Sequence, residues 1–444
     1  MALKIAVETL QLVVPSSDAL SYADLGTSIT KSGGHYIYLL ETLGPLPAFL
    51  RLWAEFVMIR PANIAVVSLA FGHYLIEPLF TPCHAPALAV KLVTITGISL
   101  IIAVNCWSVS WSANIQTVLA VLKMVTIGLI IVPGMLVLAE GKTSHYENFQ
   151  NAFDTSSLAL DKLSLAFYSG MFAYGGWFYV NFVTEEIVNP ERNIPLSVIV
   201  ALLIVTLGYL RTNVSYYAVL TAEEVLASEA VAVSFVDRAF KRISSAIPVL
   251  VALSCFGSLN GGIFAAARML FAASREGQWP PLFSMIHRRR NTPLPALLLM
   301  LPLIFLMVLI GDLYGLLNFY SFSRWLFIGL VTLGLMIHRY RHPEISRPFK
   351  HSNTAKCNQL NENCMHVKCS AQLSQLQQLI KVNGNHADPV NTGIGCAITL
   401  TGLPVYYLVV QKSRIPASCS AMFNSMTVKL QVLMEVIPQE IQTY

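Results

Sequence analysis

Arg60, Lys123, Arg211 and Arg324 each stand inside an apolar run, in EFVMIRPANIAVV, LAVLKMVTIGL, GYLRTNVSYY and NFYSFSRWLFIGL. If those runs cross a bilayer, each charge costs about 3 kcal/mol to insert. Arg60, Lys123 and Arg324 together then cost on the order of 8 to 10 kcal/mol if nothing pairs with them. Acidic residues within the same runs are few, Glu55 being the clearest, so internal ion pairs do not neutralise the set. Two chemistries are open to such cations. They bond to exposed backbone carbonyls or reach a lipid headgroup, or they receive an anionic solute. Arg324 is flanked by aromatic residues in a run with no other charge, and Arg60 precedes Pro61, which interrupts the backbone hydrogen-bond ladder. Arg211 has no role assigned from sequence.

A second feature is the stretch YSGMFAYGGWF, Tyr168 to Phe178, in which Gly170, Gly175 and Gly176 lie among aromatics. Glycine weakens a helix by about 1 kcal/mol per residue, so this is where a span is expected to unwind. Broken helices expose backbone donors and acceptors at mid-membrane, where they hold the charged ends of a solute. Glycines also let helices pack closely, and that alternative stays open. Ser254, Cys255, Ser258, Asn260, Gly261 and Gly262 form another small, polar run. No GxSxG, P-loop or HExxH pattern is present, and Cys357, Cys364, His366 and Cys369 lack the spacing of paired zinc ligands. No catalytic residue, metal ligand or cofactor is expected, and the chain is read as no enzyme.

The elements that must hold these residues follow from composition. Of 444 residues, 55% are hydrophobic and only 12% charged, about half the charged share of an ordinary soluble domain. A bilayer helix needs about 20 apolar residues. Spans are expected over Pro47–Leu79, Leu88–Val109, Ile115–Ala139, Leu163–Val183, Pro195–Leu220, Ile247–Ala273, Pro295–Ile310, Leu316–Ile337 and Gly395–Val410. The fold class is therefore all-α, a polytopic membrane helix bundle. The net charge of +5 sits mainly in short joints between spans, where topology and lipid headgroups explain it, so no nucleic-acid partner is expected. Arg275 with Arg288, Arg289 and Arg290, and then Arg339, Arg341, Arg347 and Lys350, mark one side as cytoplasmic, with Lys31 inside and Cys83 outside. Cys106, Cys255 and Cys396 read as small apolar side chains within spans. The N-terminus lacks the length and cleavage pattern of a signal peptide, so targeting falls to the internal spans.

Residues 1–20 form a divergent N-terminal segment, 21–350 the core of spans, 351–391 a polar insert, 392–418 the last span, and 419–444 an amphipathic tail of cytoplasmic type. The insert is rich in Asn, Gln, Ser and Lys and cannot cross a bilayer; it reads as disordered. The tail, in MTVKLQVLMEV, spaces its apolar residues as a helix lying on the membrane surface would.

The segments SYADLGTSITKSGGHYIYLLETLGPLPAFLRLW, SVSWSANIQ, MFAYGGWFYVNFVTEE, SREGQWPPLFSMIH, SFSRWLFIGL and GIGCAITLTGLPVYYL resemble the light chains of heteromeric amino-acid exchangers. These belong to the superfamily of amino acid, polyamine and organocation transporters. The resemblance covers most of Ser21 to Lys350 and is nearest to the members that handle anionic substrates. It implies sodium-independent exchange of anionic cystine for glutamate at the plasma membrane, on a LeuT-like fold of twelve spans with inverted repeats. By position, Arg60 and Arg324 bind or steer the anionic side chain. Arg324 speaks more for that substrate, because neutral-substrate light chains generally lack a cation there. Lys123 stands where related transporters place a cation. Phe172 takes the place of the gating aromatic at the broken sixth span, where cystine carriers have Tyr, with Tyr174 and Gly175 beside it. Cys255 and Ser258 line the pocket. Cys83 forms the disulfide to a single-pass glycoprotein heavy chain. A neutral amino-acid exchanger, or a heavy-chain partner that moves no solute, are the alternatives.

This sequence departs from the pattern in two places. The first span and most of the second have no counterpart, and the polar insert replaces the eleventh. The fold is therefore expected to be incomplete, with weak or absent transport, and the last span is expected to flip or fail to insert.

Overall fold

The computed structural model describes residues 18–80, 85–140, 174–228, 231–239, 246–311, 313–344, 389–410 and 417–438. Residues 351–388 of the insert lie outside them, as do Phe172 and Cys83, while its last three residues, 389–391, open the helix Pro389–Leu400. Among the described residues, five helices are long and apolar enough to cross a membrane: Pro45–Phe80, Ala87–Trp107, Val109–Ala139, Pro190–Val219 and Ala246–Arg275. Leu294–Ile310 and Gly393–Leu408 are shorter apolar helices, and Leu313–Arg341 is a further helix of 29 residues. In hydrocarbon every backbone group must bond within its own segment, which is why runs of this composition resolve into helices.

The Pro45–Phe80 helix is the axis of the bundle. Its Leu52, Met58, Ala62, Ala65 and Leu69 are buried together with Leu259, Ile263 and Leu270 of Ala246–Arg275 and with Phe327, Ile328 and Val331 of Leu313–Arg341. By contrast, Val118, Val121, Met124 and Val132 on Val109–Ala139, and Leu203, Ile204 and Leu207 on Pro190–Val219, stand exposed. A lipid-facing surface has that character. These two helices pack on each other through a close approach: a Cβ on Gly134 would meet Ser215 Cα at 2.6 Å. Small residues at such crossings let dispersion contacts replace the hydrophobic drive that lipid removes.

Ser108, in extended conformation, ends the Ala87–Trp107 helix and caps the next, accepting a bond from the Trp111 backbone N–H at 3.4 Å. Beside this break a closed polar knot ties three helices. Asn105 Nδ2 donates to Asn260 Oδ1 at 2.8 Å, Ser112 Oγ donates to Asn105 Oδ1 at 2.9 Å, and Asn260 Nδ2 donates to Gln116 Oε1 at 3.0 Å. Each amide is satisfied by another, so the knot carries little desolvation penalty.

Ion pairs collect at one end of the bundle. Glu185 accepts from Arg275 at 3.0 Å and from the Ser32 backbone N–H at 3.0 Å. Glu186 takes Arg268 in a two-point contact at 2.8 and 3.1 Å, and buried Asp24, on a helix over residues 18–28, pairs with Arg339. Met285–His287 pairs antiparallel with Val436–Pro438, with Ile286 opposite Ile437. Through this two-stranded ribbon the end of the tail is joined to the body of the protein. The tail helix Ala417–Leu433 does expose Met426, Val428, Val432 and Leu433, yet its end is stitched to the joint carrying Arg288, Arg289 and Arg290.

The last helical stretch packs against the bundle. Gly395 lies against the Phe319 carbonyl, Trp53 Nε1 donates to the Ile398 carbonyl at 3.2 Å, and Tyr406 packs on Phe49 at 5.4 Å. It therefore runs antiparallel to Pro45–Phe80 and parallel to Leu313–Arg341. Glycine at 395 and 402 permits this seat, since a Cβ would meet the Phe319 carbonyl at 3.0 Å and the Trp53 ring at 2.9 Å.

Gly134→Val should force Ser215 away and separate the two lipid-facing helices, at a cost of about 2 kcal/mol. The expected result is a lower Tm for the purified protein in detergent. Gly128→Ala, where nothing lies within 4 Å of the added Cβ, should leave Tm unchanged.

Candidate functional site

The site begins with a defect in the central helix. From Glu55 to Ile59 the backbone widens into a π-turn, and the Arg60 N–H bonds to the Glu55 carbonyl five residues back. Pro61 follows immediately and has no N–H to offer the α-helical ladder. In a regular helix, residue 60 would point about 140° away from residue 55. The wider turn returns Arg60 to the side of Glu55. Arg51, four residues before Glu55, already shares that side.

The outcome is a buried triad. Arg51 Nη2 lies 2.6 Å from Glu55 Oε2, Arg60 pairs with Glu55 Oε1, and all three side chains are 4% exposed or less. Arg324, on Leu313–Arg341, lies in the electrostatic field of the same carboxylate and of Arg51. Among the described residues, Arg324 has no paired carboxylate; its guanidinium faces the rings of Phe178, at 5.3 Å, and Trp325, at 5.9 Å. Three guanidinium groups thus surround one carboxylate, and three positive charges less one negative leave two uncompensated.

The broken segment supplies the other wall. Its described part is not the α-helix expected through Val183. Tyr174 to Gly176 form a turn, Gly176 has φ +124°, and Trp177–Phe182 is a tight 3-10 helix. Positive φ at residue 176 is why glycine is there. This geometry sets Phe178 on Arg324 and brings the Tyr179 hydroxyl to 3.1 Å from Arg60 Nη1, with the guanidinium 5.6 Å from the Tyr179 ring centre. Buried His35 packs on Phe178 at 4.7 Å and is hydrogen-bonded through Nδ1 to the Tyr22 hydroxyl. Trp177 closes the wall against Tyr22 at 4.9 Å.

The residues singled out from sequence divide into two groups. Arg60 and Arg324 come together around Glu55. Lys123 donates to Ser258 Oγ at 2.8 Å and interacts with Cys255, at the half-exposed seam of Val109–Ala139 and Ala246–Arg275. Tyr174 packs edge-on against Tyr209 at 5.2 Å, and Gly175 is exposed. Neither has a described contact with the arginines. Phe172 and Cys83 fall outside the described residues, and Arg211 is exposed. Sequence reasoning missed Arg51, Phe178 and Tyr179. Arg51 was detectable: it is a charge in PLPAFLRLWAEF placed four residues before the acid already noted. A separate cavity of about 170 Å³ lies at the ion-paired end, lined by Asn105, Glu186, Phe264, Arg268, Asn291 and Leu297 among others.

The arrangement is a buried, positively charged cluster beside a broken helical segment. The comparisons with known proteins agree with a transport role. Residues 16–360 match the amino acid permease family. The chain is 49% identical to the cystine/glutamate transporter of Homo sapiens over 422 residues, covering 95% of this chain and 81% of that protein. It is 37% identical to the b(0,+)-type amino acid transporter 1 of Homo sapiens over 429 residues, 96% of this chain and 84% of that one. It is 36% identical to the large neutral amino acids transporter small subunit 2 of Rattus norvegicus over 435 residues, 96% and 78% respectively. The chain is a multi-pass membrane protein and belongs to the amino acid permease family.

Proposed function

We propose that this chain is the light, transporting subunit of a sodium-independent antiporter that takes in anionic cystine and releases glutamate across the plasma membrane. The observation that carries this reading is the ratio of three buried arginines to one buried glutamate. Neutral amino acids bring no net charge to such a chamber. Glutamate, or cystine with one of its two ammonium groups deprotonated, brings one unit of negative charge, and its far carboxylate is held between Arg60 and Arg324. Arg324, which has aromatic rings and no described carboxylate partner, gains most from that anion. The identity of nearly half its residues to a protein named for cystine and glutamate supports the same substrate pair. The broken segment from Tyr174 to Phe182, with Phe172 ahead of it, forms the moving wall. Lys123, Cys255 and Ser258 lie on a second face of the path.

The partner is a single-pass glycoprotein heavy chain, joined through a disulfide from Cys83. The term small subunit in the name of one relative supports an assembly of unequal chains.

In cells lacking endogenous exchange, expression of this chain with the heavy chain should produce labelled cystine uptake inhibited by glutamate and not by leucine. Arg324→Ala should reduce that uptake at least tenfold, about 1.4 kcal/mol or more of lost interaction. Uptake competed by leucine and unaffected by Arg324→Ala would contradict the substrate assignment. For the partner, Cys83→Ser should abolish the disulfide-linked complex on non-reducing gels while leaving light-chain abundance unchanged.

A further inference from the structure

Arg51 enters the proposed exchange only as one of three buried charges, with no role of its own. Its side chain is 2% exposed, its Nη2 is ion-paired with Glu55 Oε2 at 2.6 Å, and its Nε and Nη1 have no hydrogen-bond partner among the described residues, against one such nitrogen, Nε, on Arg60. Its guanidinium carbon also lies 5.5 Å from the centre of the Phe327 ring. A guanidinium this deeply buried, with two of its nitrogens unsatisfied, is an expensive way to anchor a helix. By its place one helical turn before Glu55 it faces the opposite oxygen of the carboxylate to which the π-turn brings Arg60.

We propose that Glu55 is an internal stand-in for the substrate carboxylate and that Arg51 is the positioning residue that retains it. In the empty chamber Glu55 is shared by Arg51 and Arg60. When an anionic amino acid arrives, its carboxylate takes Arg60 and Glu55 withdraws onto Arg51, whose unsatisfied N–H groups donate to the displaced oxygen. Both carboxylates then have a guanidinium, and neither is left alone in low dielectric. Without Arg51, Glu55 has Arg60 as its sole partner, and every incoming anion must break that pair. Arg51 therefore sets affinity for anions without touching them, and the single Glu55 sets a threshold that excludes weaker anions. This inference rests on the anionic-substrate reading above and names how that site is regulated.

The test is ligand stabilisation of the purified chain in detergent, read as the glutamate concentration giving half of the maximal Tm rise, for four proteins. Unsubstituted protein should respond to glutamate and not to leucine. Arg51→Met should need about tenfold more glutamate, because Glu55 now competes undivided for Arg60. Arg51→Met combined with Glu55→Gln should return to the unsubstituted value or below, because the competitor has lost its charge. Arg60→Met should not respond. Should Arg51→Met fold too poorly to measure, Arg51→Lys keeps the charge, loses the two-sided fork, and should show an intermediate loss that Glu55→Gln again reverses. An Arg51 variant that matches the unsubstituted chain, or a double variant no better than the single one, overturns this proposal alone. Absence of any glutamate response in the unsubstituted chain removes it together with the anionic-substrate reading.

Discussion

Everything in this structure turns on a charge imbalance held in a place that water does not reach. Arg51, Arg60 and Arg324 gather about Glu55, and the surplus of positive charge is enclosed by Phe178, Tyr179 and Trp325. In bulk water such an imbalance costs little. At an effective dielectric of about 20, two unit charges 4 Å apart already interact by about 4 kcal/mol. The bundle tolerates it because the helices are locked elsewhere by closed polar knots and small-residue crossings. The Asn105–Ser112–Asn260 knot and the Gly134–Ser215 approach are two of these locks.

Two departures from regular helix geometry create the chamber, and each has a local cause. Pro61 withholds an N–H from the helix and the backbone answers with a π-turn that rotates Arg60 onto Glu55. Gly176 permits a positive φ, and the chain tightens into the turn that carries Phe178 and Tyr179 to the arginines. The same segment continues to Glu185 and Glu186, which are clamped by Arg275 and Arg268 at the end of the bundle. The wall beside the arginines and the ion pairs at the end of the bundle thus belong to one short strip of turn and 3-10 helix.

Much of this was legible in the sequence, and the reasons are physical. Long apolar runs have one structural outcome in lipid, so the spans from Pro45 to Phe80 and from Ala246 to Arg275 follow from composition. Arg60 and Arg324 were visible because an isolated charge in an apolar run has few excuses, and the weakness at Gly175 and Gly176 because paired glycines have few helical ones. What escaped depends on rotation about a helix axis. A reading that assumes 3.6 residues per turn puts Arg60 and Glu55 on different sides, and so the shared carboxylate and the role of Arg51 were hidden until the π-turn was seen. The grouping of Lys123 with Ser258 and Cys255, apart from the arginines, depends on which faces of two long helices meet. The seating of Gly395 against Phe319 and the pairing of Ile286 with Ile437 join residues far apart in the chain, and no local pattern announces either.

The account's central claim is that the surplus charge of the three arginines is answered by a visiting anion. Two experimentally determined structures of the complex with its heavy chain, one in saturating glutamate and one free of it, test this most directly. The account predicts density for a carboxylate between Arg60 and Arg324 in the first only, with Glu55 displaced towards Arg51. Guanidinium groups of Arg60 and Arg324 satisfied by protein or lipid oxygens in both structures, with the ligand absent or bound elsewhere, would contradict it.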